Sequence, residues 1–321
     1  MCSIGPGDAG AEGGAAADGA ADDGRDGGAA GDGPADWAAP PSDALPADGQ
    51  RVDASTGDAA PADAPGPDAP PPDGPGDAPP DSGCMGPTSC APGYACTAGT
   101  CSSLASGLVG YWKLDETTNG ATAVDDSGSG FNAADVGGTT VSPSPDHPAR
   151  FTNPNARRFS LSSDPTPDSL RVTAPGSRLK PLSWSMSVWF KATTTDILAG
   201  TIASLGDNYV LVLRPDGKAQ ATRRYSSSWF FCETTMTYLD GRWHHAVGTS
   251  VSGGALAIWV DGVKTSCPGN TVQSFDLGAD LVIGRHGNGG ADYDFDGTID
   301  DLRIYNRVLD DSEIQALFAG Q

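Results

Sequence analysis

The sequence predicts an all-β fold, a two-sheet antiparallel β-sandwich that ends in one short α-helix. Many short runs of alternating apolar and polar residues follow one another from Gly107 to Tyr305. Turn dipeptides such as Asp261-Gly262 separate these runs about every eight to twelve residues, a spacing typical of a sandwich. A pattern of helical period appears near the end of the chain.

A hairpin between Gly241 and Gly262 is the clearest element. Apolar and polar residues alternate along Trp243–Val251 and again along Leu256–Val260, which is the period-two pattern of half-buried strands. Gly253 and Gly254 permit the turn between them, because glycine adopts positive φ at little steric cost. The other strands are predicted to build the two sheets around this hairpin.

The other predicted strands are short apolar runs bounded by turn residues. They are Gly107–Leu114, Ala149–Thr152, Arg158–Leu161, Ser169–Thr173, Trp184–Lys191, Thr201–Leu205, Tyr209–Arg214, Gln220–Tyr225, Trp229–Thr235, Leu281–Gly284 and Thr298–Tyr305. Two facing sheets would share one core. The predicted core is Trp112, Leu114, Val188, Phe190, Ile202, Leu211, Leu213, Leu256, Ile258, Ile283, Leu302 and Ile304.

The predicted helix follows Asp310. An acid at this position with Glu313 three residues later is a capping-box pattern, which supplies hydrogen-bond acceptors to the first free backbone N–H groups. Ile314, Leu317 and Phe318 recur at helical spacing, so they form one apolar face. The helix is therefore expected to dock on the edge of the sandwich.

Residues 1–83 are predicted to form a disordered, acidic tether. They consist almost entirely of Ala, Gly, Pro and Asp, with seventeen acidic residues and two arginines that carry −15 of the net charge of −22. Such a composition buries too little apolar surface to offset chain entropy. Aspartate recurs every five residues from Asp43 to Asp73. The segment is interpreted either as a spacer that holds a domain away from a surface or as a tolerated low-complexity repeat.

Residues 84–103 are predicted to form a small cysteine-rich module ahead of the domain at 104–321. Four cysteines, Cys84, Cys90, Cys96 and Cys101, lie among Gly, Pro, Ser and Thr, without the paired C-x-x-C spacing of most zinc sites. Disulfides are therefore favoured over a metal, and the sequence does not select among three pairings. A further bridge, Cys232–Cys267, is predicted within the domain. Disulfides indicate an oxidising, extracytoplasmic compartment. The module is interpreted as a stiff collar or as a partner-binding knob.

The charge and hydropathy exclude some classes of function. An acidic chain with no basic patch argues against nucleic-acid binding, and no apolar run is long enough for a membrane span. Cys2 opens the tether without a secretory apolar segment before it. It is interpreted as the lipidated first residue of a mature bacterial surface lipoprotein, with an incidental cysteine as the alternative, so membrane contact is expected only through that anchor.

Three ordered motifs resemble one family. Gly-x-Trp-His-His at Gly241–His245 leads to a strand ending in Val-Asp-Gly, LVGYWKL at Leu108–Leu114 is similar to a first strand, and FDGTIDDLRIYNRVL at Phe295–Leu309 is similar to a closing strand. Together they resemble the laminin-G-like jelly roll of the concanavalin A-like lectin/glucanase superfamily, over about residues 107–320. The resemblance implies a jelly-roll sandwich. It does not select a ligand, because this fold hosts many functions.

The resemblance also implies a calcium site. Similar jelly rolls often bind Ca²⁺ where an Asp-rich loop after the first strand meets the closing strand. Here the loop is Val124–Asn132, with Asp126 in the family's position, and the closing strand offers Asp300 or Asp301. We expect Asp126 and Asp300 to bind the ion with loop carbonyls; Asx turns and strand-edge solvation are the alternative.

A second acidic pattern is the DxDxDG run formed by Asp292, Asp294, Asp296 and Gly297. It resembles a calcium loop, in which alternating carboxylates converge on the ion. The twelfth position is Arg303, where an EF-hand needs a bidentate glutamate, and the surrounding pattern is strand. An EF-hand site is therefore not expected.

The sequence favours a binding module over an enzyme. Glucanases of the superfamily carry Glu-x-Asp-x-x-Glu, and this motif is absent: the glutamates are Glu12, Glu116, Glu233 and Glu313. His244 and His245 are expected to pack and hydrogen-bond rather than to catalyse.

Candidate ligand contacts are aromatic. Tyr225, Trp229 and Tyr293 lie in or near loops, close to the basic residues Arg223 and Arg224. Aromatic faces stack on sugar rings, and basic groups attract acidic ones. Phe230 is a further candidate, but it and Trp229 have opposite parity, so one of them must face inward. The predicted partner is a glycan or a surface protein; a structural domain without sugar affinity and a glycan-active enzyme are the alternatives.

Overall fold

A computed structural model describes most of the chain after the tail. The described residues are 83–86, 89–136, 141–150, 154–161, 168–226, 228–275, 280–287, 289 and 292–321. The predicted tether and Cys2 lie outside them, except for Gly83.

The described residues form seventeen strands, all paired antiparallel, and one α-helix. The cysteine-rich module contains β1 (Tyr94–Thr97) and β2 (Thr100–Ser103). The seven-stranded front sheet contains β4 (Ala134–Asp135), β7 (Leu170–Val172), β9 (Gly200–Leu205), β10 (Tyr209–Leu213), β11 (Lys218–Tyr225), β12 (Ser228–Thr237) and β16 (Leu281–Ile283). The back sheet contains β3 (Leu108–Trp112), β5 (Ser142–Ser144), β6 (Ala156–Phe159), β8 (Trp184–Ala192), β13 (His244–Ser250), β14 (Leu256–Val260), β15 (Val263–Cys267) and β17 (Gly297–Tyr305).

The spatial order of the strands shows how the chain passes between the sheets. The front sheet runs β12-β11-β10-β9-β16-β7-β4, and the back sheet runs β15-β14-β13-β8-β17-β6-β5, with β3 also paired to β17. A 3₁₀ turn, Gly176–Leu179, precedes β8. The predicted antiparallel sandwich is confirmed.

One apolar core fills the space between the sheets. All twelve residues of the predicted core belong to it, because strand alternation directs every second side chain inward. The hairpin of β13 and β14 lies where the sequence predicts it, with Ala246 opposite Val260 and Ser250 opposite Leu256.

The first and closing strands of the sandwich pair directly. Leu302 lies opposite Trp112, and Arg303 lies opposite Tyr111. The register of β17 against β8 shifts between Asp300 and Arg303, and Asp301 has φ +48°. This is a β-bulge, which inserts one extra residue into the strand, so Asp300 and Asp301 do not alternate regularly across the pleat.

Disulfides tie both the sandwich and the module. Cys232 of β12 bonds Cys267 of β15, with 5.6 Å between the Cα atoms, so the predicted bridge joins the edge strands of opposite sheets. In the module, Cys84 bonds Cys96 and Cys90 bonds Cys101. This is the pairing that the sequence left open.

Helix α1 (Asp311–Phe318) begins with the predicted capping box. The Asp310 Oδ1 atom accepts from the Glu313 N–H at 2.9 Å, and Glu313 Oε2 accepts from the Asp310 N–H at 2.9 Å. Ile314 and Leu317 are buried against the outer face of the back sheet, beside Val247 and Trp259. The predicted C-terminal helix is confirmed.

The cysteine-rich module packs against the same outer face. Ala95 and Leu104 are buried in the apolar cluster that α1 forms with the back sheet. Thr97 Oγ1 lies 3.2 Å from Ser312 Oγ of the helix. Residues Ala98 and Gly99, both with positive φ, form the two-residue turn of the module's hairpin. Helix and module together cover the back of the sandwich.

Several elements differ from the predictions. Ala149 and Arg150 form a turn where a strand is predicted, and the rest of Ala149–Thr152 lies outside the described residues. Short edge strands were not predicted because they carry little apolar alternation. They are β4, β5 and β15 in the sandwich. In the described part of the chain, no helix combines the length and the apolar content that a membrane crossing requires.

Candidate functional site

Three aromatic rings lie in a row on the outer face of the front sheet. The ring centroids of Trp229 and His286 are 6.3 Å apart in an edge-on arrangement, and those of His286 and Tyr293 are 5.4 Å apart. We call Trp229, His286 and Tyr293 the aromatic platform. Trp229 and Tyr293 are half-exposed, whereas His286 is 6% exposed. The platform is thus an aromatic surface with a histidine at its centre.

The alternation of two neighbouring strands builds the support of this platform. In β10, Val210 and Val212 point away from the main core and form a small outer cluster against which Trp229 and Tyr293 pack. In β12, Phe230 packs on the main core instead. Of these two adjacent residues, Phe230 therefore faces the core and Trp229 faces outward, as the alternation of a strand requires.

A guanidinium lies over one end of the platform. Arg224 of β11 stands directly opposite Trp229 of β12, and its Cζ atom lies 5.1 Å from the centroid of the indole ring. Its Nε atom donates to the Ser226 carbonyl at 3.4 Å. This distance corresponds to a cation–π contact, which holds the guanidinium beside the indole ring.

Two carboxylates beside the platform have basic partners of their own. His286 Nδ1 lies 3.2 Å from Asp207 Oδ1, and Arg285 Nε lies 3.1 Å from Asp294 Oδ1. Burial raises the pKa of Asp294 to about 6, against the opposing effect of Arg285, and Asp196 adds to the rise. The Asp294 carboxyl therefore changes its charge near neutral pH.

The structure brings together two of the three predicted ligand residues. Trp229 and Tyr293 both contact His286. Tyr225 follows Arg224 in the same strand, so alternation places its side chain on the other side of the sheet. His286 was not predicted as part of the site, because it lies between β16 and β17 and approaches Trp229 only through the folding of the sandwich.

Arg223, the second predicted basic residue, has a structural role. Its side chain is fully buried and stacks on Phe230 at 5.0 Å. Its guanidinium donates to Ser250 Oγ at 2.9 Å, and to the carbonyls of Val251 and Gly254 at 2.8 and 2.6 Å. Burial lowers its pKa. The residue holds the loop after β13 rather than a ligand.

The DxDxDG run does not converge on one point. Asp296 pairs with Arg158 at 2.5 Å, and Asp294 pairs with Arg285. Asp292 has φ +69°, and its carbonyl accepts from the Leu198 N–H. The carboxylates of Asp294 and Asp296 therefore belong to separate ion pairs.

The predicted calcium ligands also have protein partners. Asp126 pairs with Lys113 at 3.1 Å, and Asp301 pairs with Arg303 at 2.7 Å. Asp301 also accepts from the Tyr111 hydroxyl at 2.8 Å, whereas Asp300 is fully buried and accepts from the Asp301 N–H at 3.0 Å. In the described part of the chain, one group of three potential metal ligands lies close together: Cys84, Cys90 and Cys101. Their sulfurs are in disulfide bonds.

A calcium ion needs six to eight oxygen ligands, and Asp301 does not fit this role because Arg303 and Tyr111 already occupy both of its oxygens. The neighbouring Asp125 holds the loop instead. Its Oδ1 atom accepts from the N–H groups of Tyr111 and Ser127 at 3.0 and 2.9 Å, which is the Asx-turn alternative. Calcium binding by Asp126 with Asp300 stays a prediction.

The two adjacent histidines have opposite environments. His244 lies between two carboxylates, with Nδ1 2.7 Å from Asp261 and Nε2 3.0 Å from Asp240. Burial lowers its pKa, but these two partners outweigh burial and raise it overall. His245 Nε2 lies 2.8 Å from Ser187 Oγ, and burial lowers its pKa to about 3.

The Ser187–His245 pair is not an accessible nucleophile–base site. Both residues are 1% exposed, and the ring of Phe318 in α1 stacks over His245 at 6.1 Å. Asp261 accepts from the backbone N–H of His245 rather than from its ring. The described glutamates are likewise structural, since Glu116, Glu233 and Glu313 contact Arg157, Lys218 and Arg307 respectively.

Comparison with protein families agrees with this geometry. Residues 166–315 match the laminin-G model of the concanavalin A-like lectin/glucanases superfamily. Over these residues the sandwich is similar to a laminin-G-like jelly roll. Comparison with curated proteins finds no match.

Solved structures with the same jelly roll include neurotoxin binding domains. The binding domain of botulinum neurotoxin serotype D/C VPI 5993 has a TM-score of 0.52 at 17% identity. The binding domain of botulinum neurotoxin DC has TM-scores of 0.51 in complex with rat synaptotagmin II and 0.50 in complex with SialylT, each at 16% identity. In each case the match covers 67% of this chain and 52% of the other, so the chain spans about half the length of these structures. At this identity the likeness shows the fold alone.

Proposed function

We propose that the jelly roll is an extracytoplasmic binding module that recognises a carbohydrate through the aromatic platform. The observation that carries the proposal is the row of Trp229, His286 and Tyr293, in which the outer two rings remain half-exposed. Sugars present apolar C–H faces that pack on aromatic rings, while their hydroxyls pair with polar groups at the rim. Asp207, Arg224 and Arg285 provide such a rim.

The placement of the other elements supports this choice of face. The cysteine-rich module and α1 pack on the outer face of the back sheet. The platform lies on the opposite side of the sandwich. Three disulfides fit an oxidising, extracytoplasmic compartment.

A protein partner is the second candidate. The binding domain of botulinum neurotoxin DC, which has a similar fold, is in complex with rat synaptotagmin II in one structure and with SialylT in another. The half-exposed tryptophan and its arginine are also residue types enriched at protein interfaces. We favour a glycan because the two partly exposed rings, Trp229 and Tyr293, suit the apolar faces of sugars.

The experiment is a glycan array probed with the full chain and with two tryptophan variants. Trp229→Ala should abolish binding to every glycan that the wild type recognises. Trp243→Ala is the matched control, because this half-buried tryptophan contacts Asp146, away from the platform. Binding that survives Trp229→Ala, or an array without hits, contradicts the proposal. Release of products from the bound polysaccharides would indicate a glycan-active enzyme instead.

A thermal-unfolding measurement addresses calcium. If Asp126 and Asp300 support the fold with Ca²⁺, the melting temperature should rise with the ion relative to chelator, and Asp126→Ala should remove the rise. No shift would exclude that role. The glycan proposal does not depend on this outcome, since neither residue belongs to the platform.

A further inference from the structure

Among the residues that the structure describes, Arg224 has no acidic partner, although the protein is strongly acidic. Eleven of the lysines and arginines in the described residues lie within 4.0 Å of a carboxylate. Arg224 is not among them, and its side-chain contacts are the Trp229 ring and the Ser226 carbonyl. With a net charge of −22, acidic groups are plentiful, so an unpaired arginine on the candidate binding face is a feature to explain.

The contact with Trp229 leaves the hydrogen-bonding edge of Arg224 available. A guanidinium that stacks on an aromatic ring uses its flat face, while its N–H groups point outward in the plane. The single N–H of Arg224 Nε donates to the Ser226 carbonyl at 3.4 Å. The two Nη groups therefore remain available to donate two parallel hydrogen bonds to a carboxylate.

The other charges of the site are already balanced. Asp294 lies 3.1 Å from Arg285, and Asp207 lies 3.2 Å from His286. An anionic ligand at the Trp229 end would meet Arg224 without displacing an internal ion pair. A neutral sugar would use the rings and leave the guanidinium unpaired.

We propose that the platform binds a sugar that carries a carboxylate, and that Arg224 is the residue that recognises this group. The inference rests on the proposed function and adds the chemical class of the ligand. The sugar ring would pack on the exposed part of Trp229, with its carboxylate on the two Nη groups of Arg224. Uronic acids and sialic acids share this chemistry.

The test compares carboxylated oligosaccharides with their carboxyl-reduced counterparts by isothermal titration calorimetry on the full chain. One arm uses oligosaccharides of glucuronate or galacturonate, and the other uses sialylated oligosaccharides. We expect the carboxylated form of at least one arm to bind about ten-fold tighter or more, as one charge-assisted bidentate contact allows. Arg224→Gln should remove this preference, and Arg224→Lys should restore only part of it because lysine lacks the planar fork.

Arg178→Gln is the matched control, since Arg178 is exposed and lies in the 3₁₀ turn away from the platform. Unchanged binding by this variant, with a preserved preference for the carboxylate, supports recognition by Arg224. Equal loss in both arginine variants would attribute the preference to overall charge and overturn the inference. Equal binding of reduced and carboxylated sugars would also overturn it while leaving the glycan proposal intact, whereas no binding of any sugar would remove both.

Discussion

The two outer faces of the sandwich carry similar aromatic clusters with opposite exposure. On the back, Trp189, His245 and Phe318 lie with centroids 5.1 to 6.1 Å apart, and Trp189 and His245 are 4% and 1% exposed. On the front, Trp229 and Tyr293 flank His286 at similar distances but stay half-exposed. The difference is the cover that α1 provides to the back sheet.

This comparison shows that a tryptophan, a histidine and a third ring do not by themselves identify a site. In the back cluster, the His245 ring is hydrogen-bonded to the Ser187 hydroxyl and lies under Phe318 of α1. This cluster therefore contributes to packing. The front cluster keeps accessible ring surface and an arginine without an acidic partner. Accessible aromatic surface with uncommitted hydrogen-bond donors is what distinguishes a candidate binding face from a second core.

The largest loss of stability is expected from the bond that joins the edges of both sheets. Replacing Cys232 and Cys267 by alanine should lower the free energy of unfolding by about 4 kcal/mol, since the bridge closes a long loop in the unfolded chain. Urea denaturation under oxidising conditions measures the change. A loss below about 1 kcal/mol would contradict the role given to this bridge.

The second largest loss of stability is expected in the helix that covers the back sheet. Ile314→Ala removes a fully buried side chain of α1, so the free energy of unfolding should fall by about 3 kcal/mol. Asp311→Ala, an exposed position on the same helix, is the control and should cost less than about 1 kcal/mol. Equal losses in the two variants would show that α1 does not cover the sheet as described.

A pH-dependent effect is expected from His244. Its pKa is raised in the folded state by Asp261 and Asp240, which outweigh burial. The stabilisation should therefore be complete below the unfolded pKa of about 6.5 and disappear as the pH rises through the folded pKa. The stability difference between wild type and His244→Gln should be larger at about pH 5.5 than at about pH 8.5.

His147→Gln controls for the loss of one histidine in that comparison. Urea midpoints of all three proteins at both pH values give the result. A difference between wild type and His244→Gln that stays constant with pH would show that His244 is not held by the two carboxylates.

The smallest loss of stability is expected on the front. Trp229→Ala removes a half-exposed ring that contacts Arg224 and the outer valine cluster, so the free energy of unfolding should change by only about 1 kcal/mol. The melting temperature of this variant gives the measurement. A loss as large as that of Ile314→Ala would assign Trp229 to packing rather than to binding.

The sequence predicted what depends on local pattern. The alternation of apolar residues placed all twelve predicted core residues, including Trp112 and Ile304, in the core between the sheets. Asp310 and Glu313 predicted the capped helix, and the laminin-G-like motifs predicted the jelly roll. These predictions were correct because each feature depends on neighbours within a few residues or on the regular alternation of side chains along a strand.

The features that were missed depend on contacts between distant segments. His286 meets Trp229 only because β16 and β12 belong to one sheet, and nothing in its own neighbourhood signals this. The bulge at Asp301, which interrupts the strand alternation, was not predicted either. The docking of Ala95 under α1 likewise requires the folded back sheet.

Hydrogen exchange with the tightest-binding glycan from the array tests the central claim most directly. We predict ligand-induced protection in peptides that contain Arg224 to Trp229 and in those that contain His286 or Tyr293. Peptides from β1, β2 and α1 on the back should exchange at unchanged rates. Protection of the back peptides without protection of the front would contradict the assignment of the binding face.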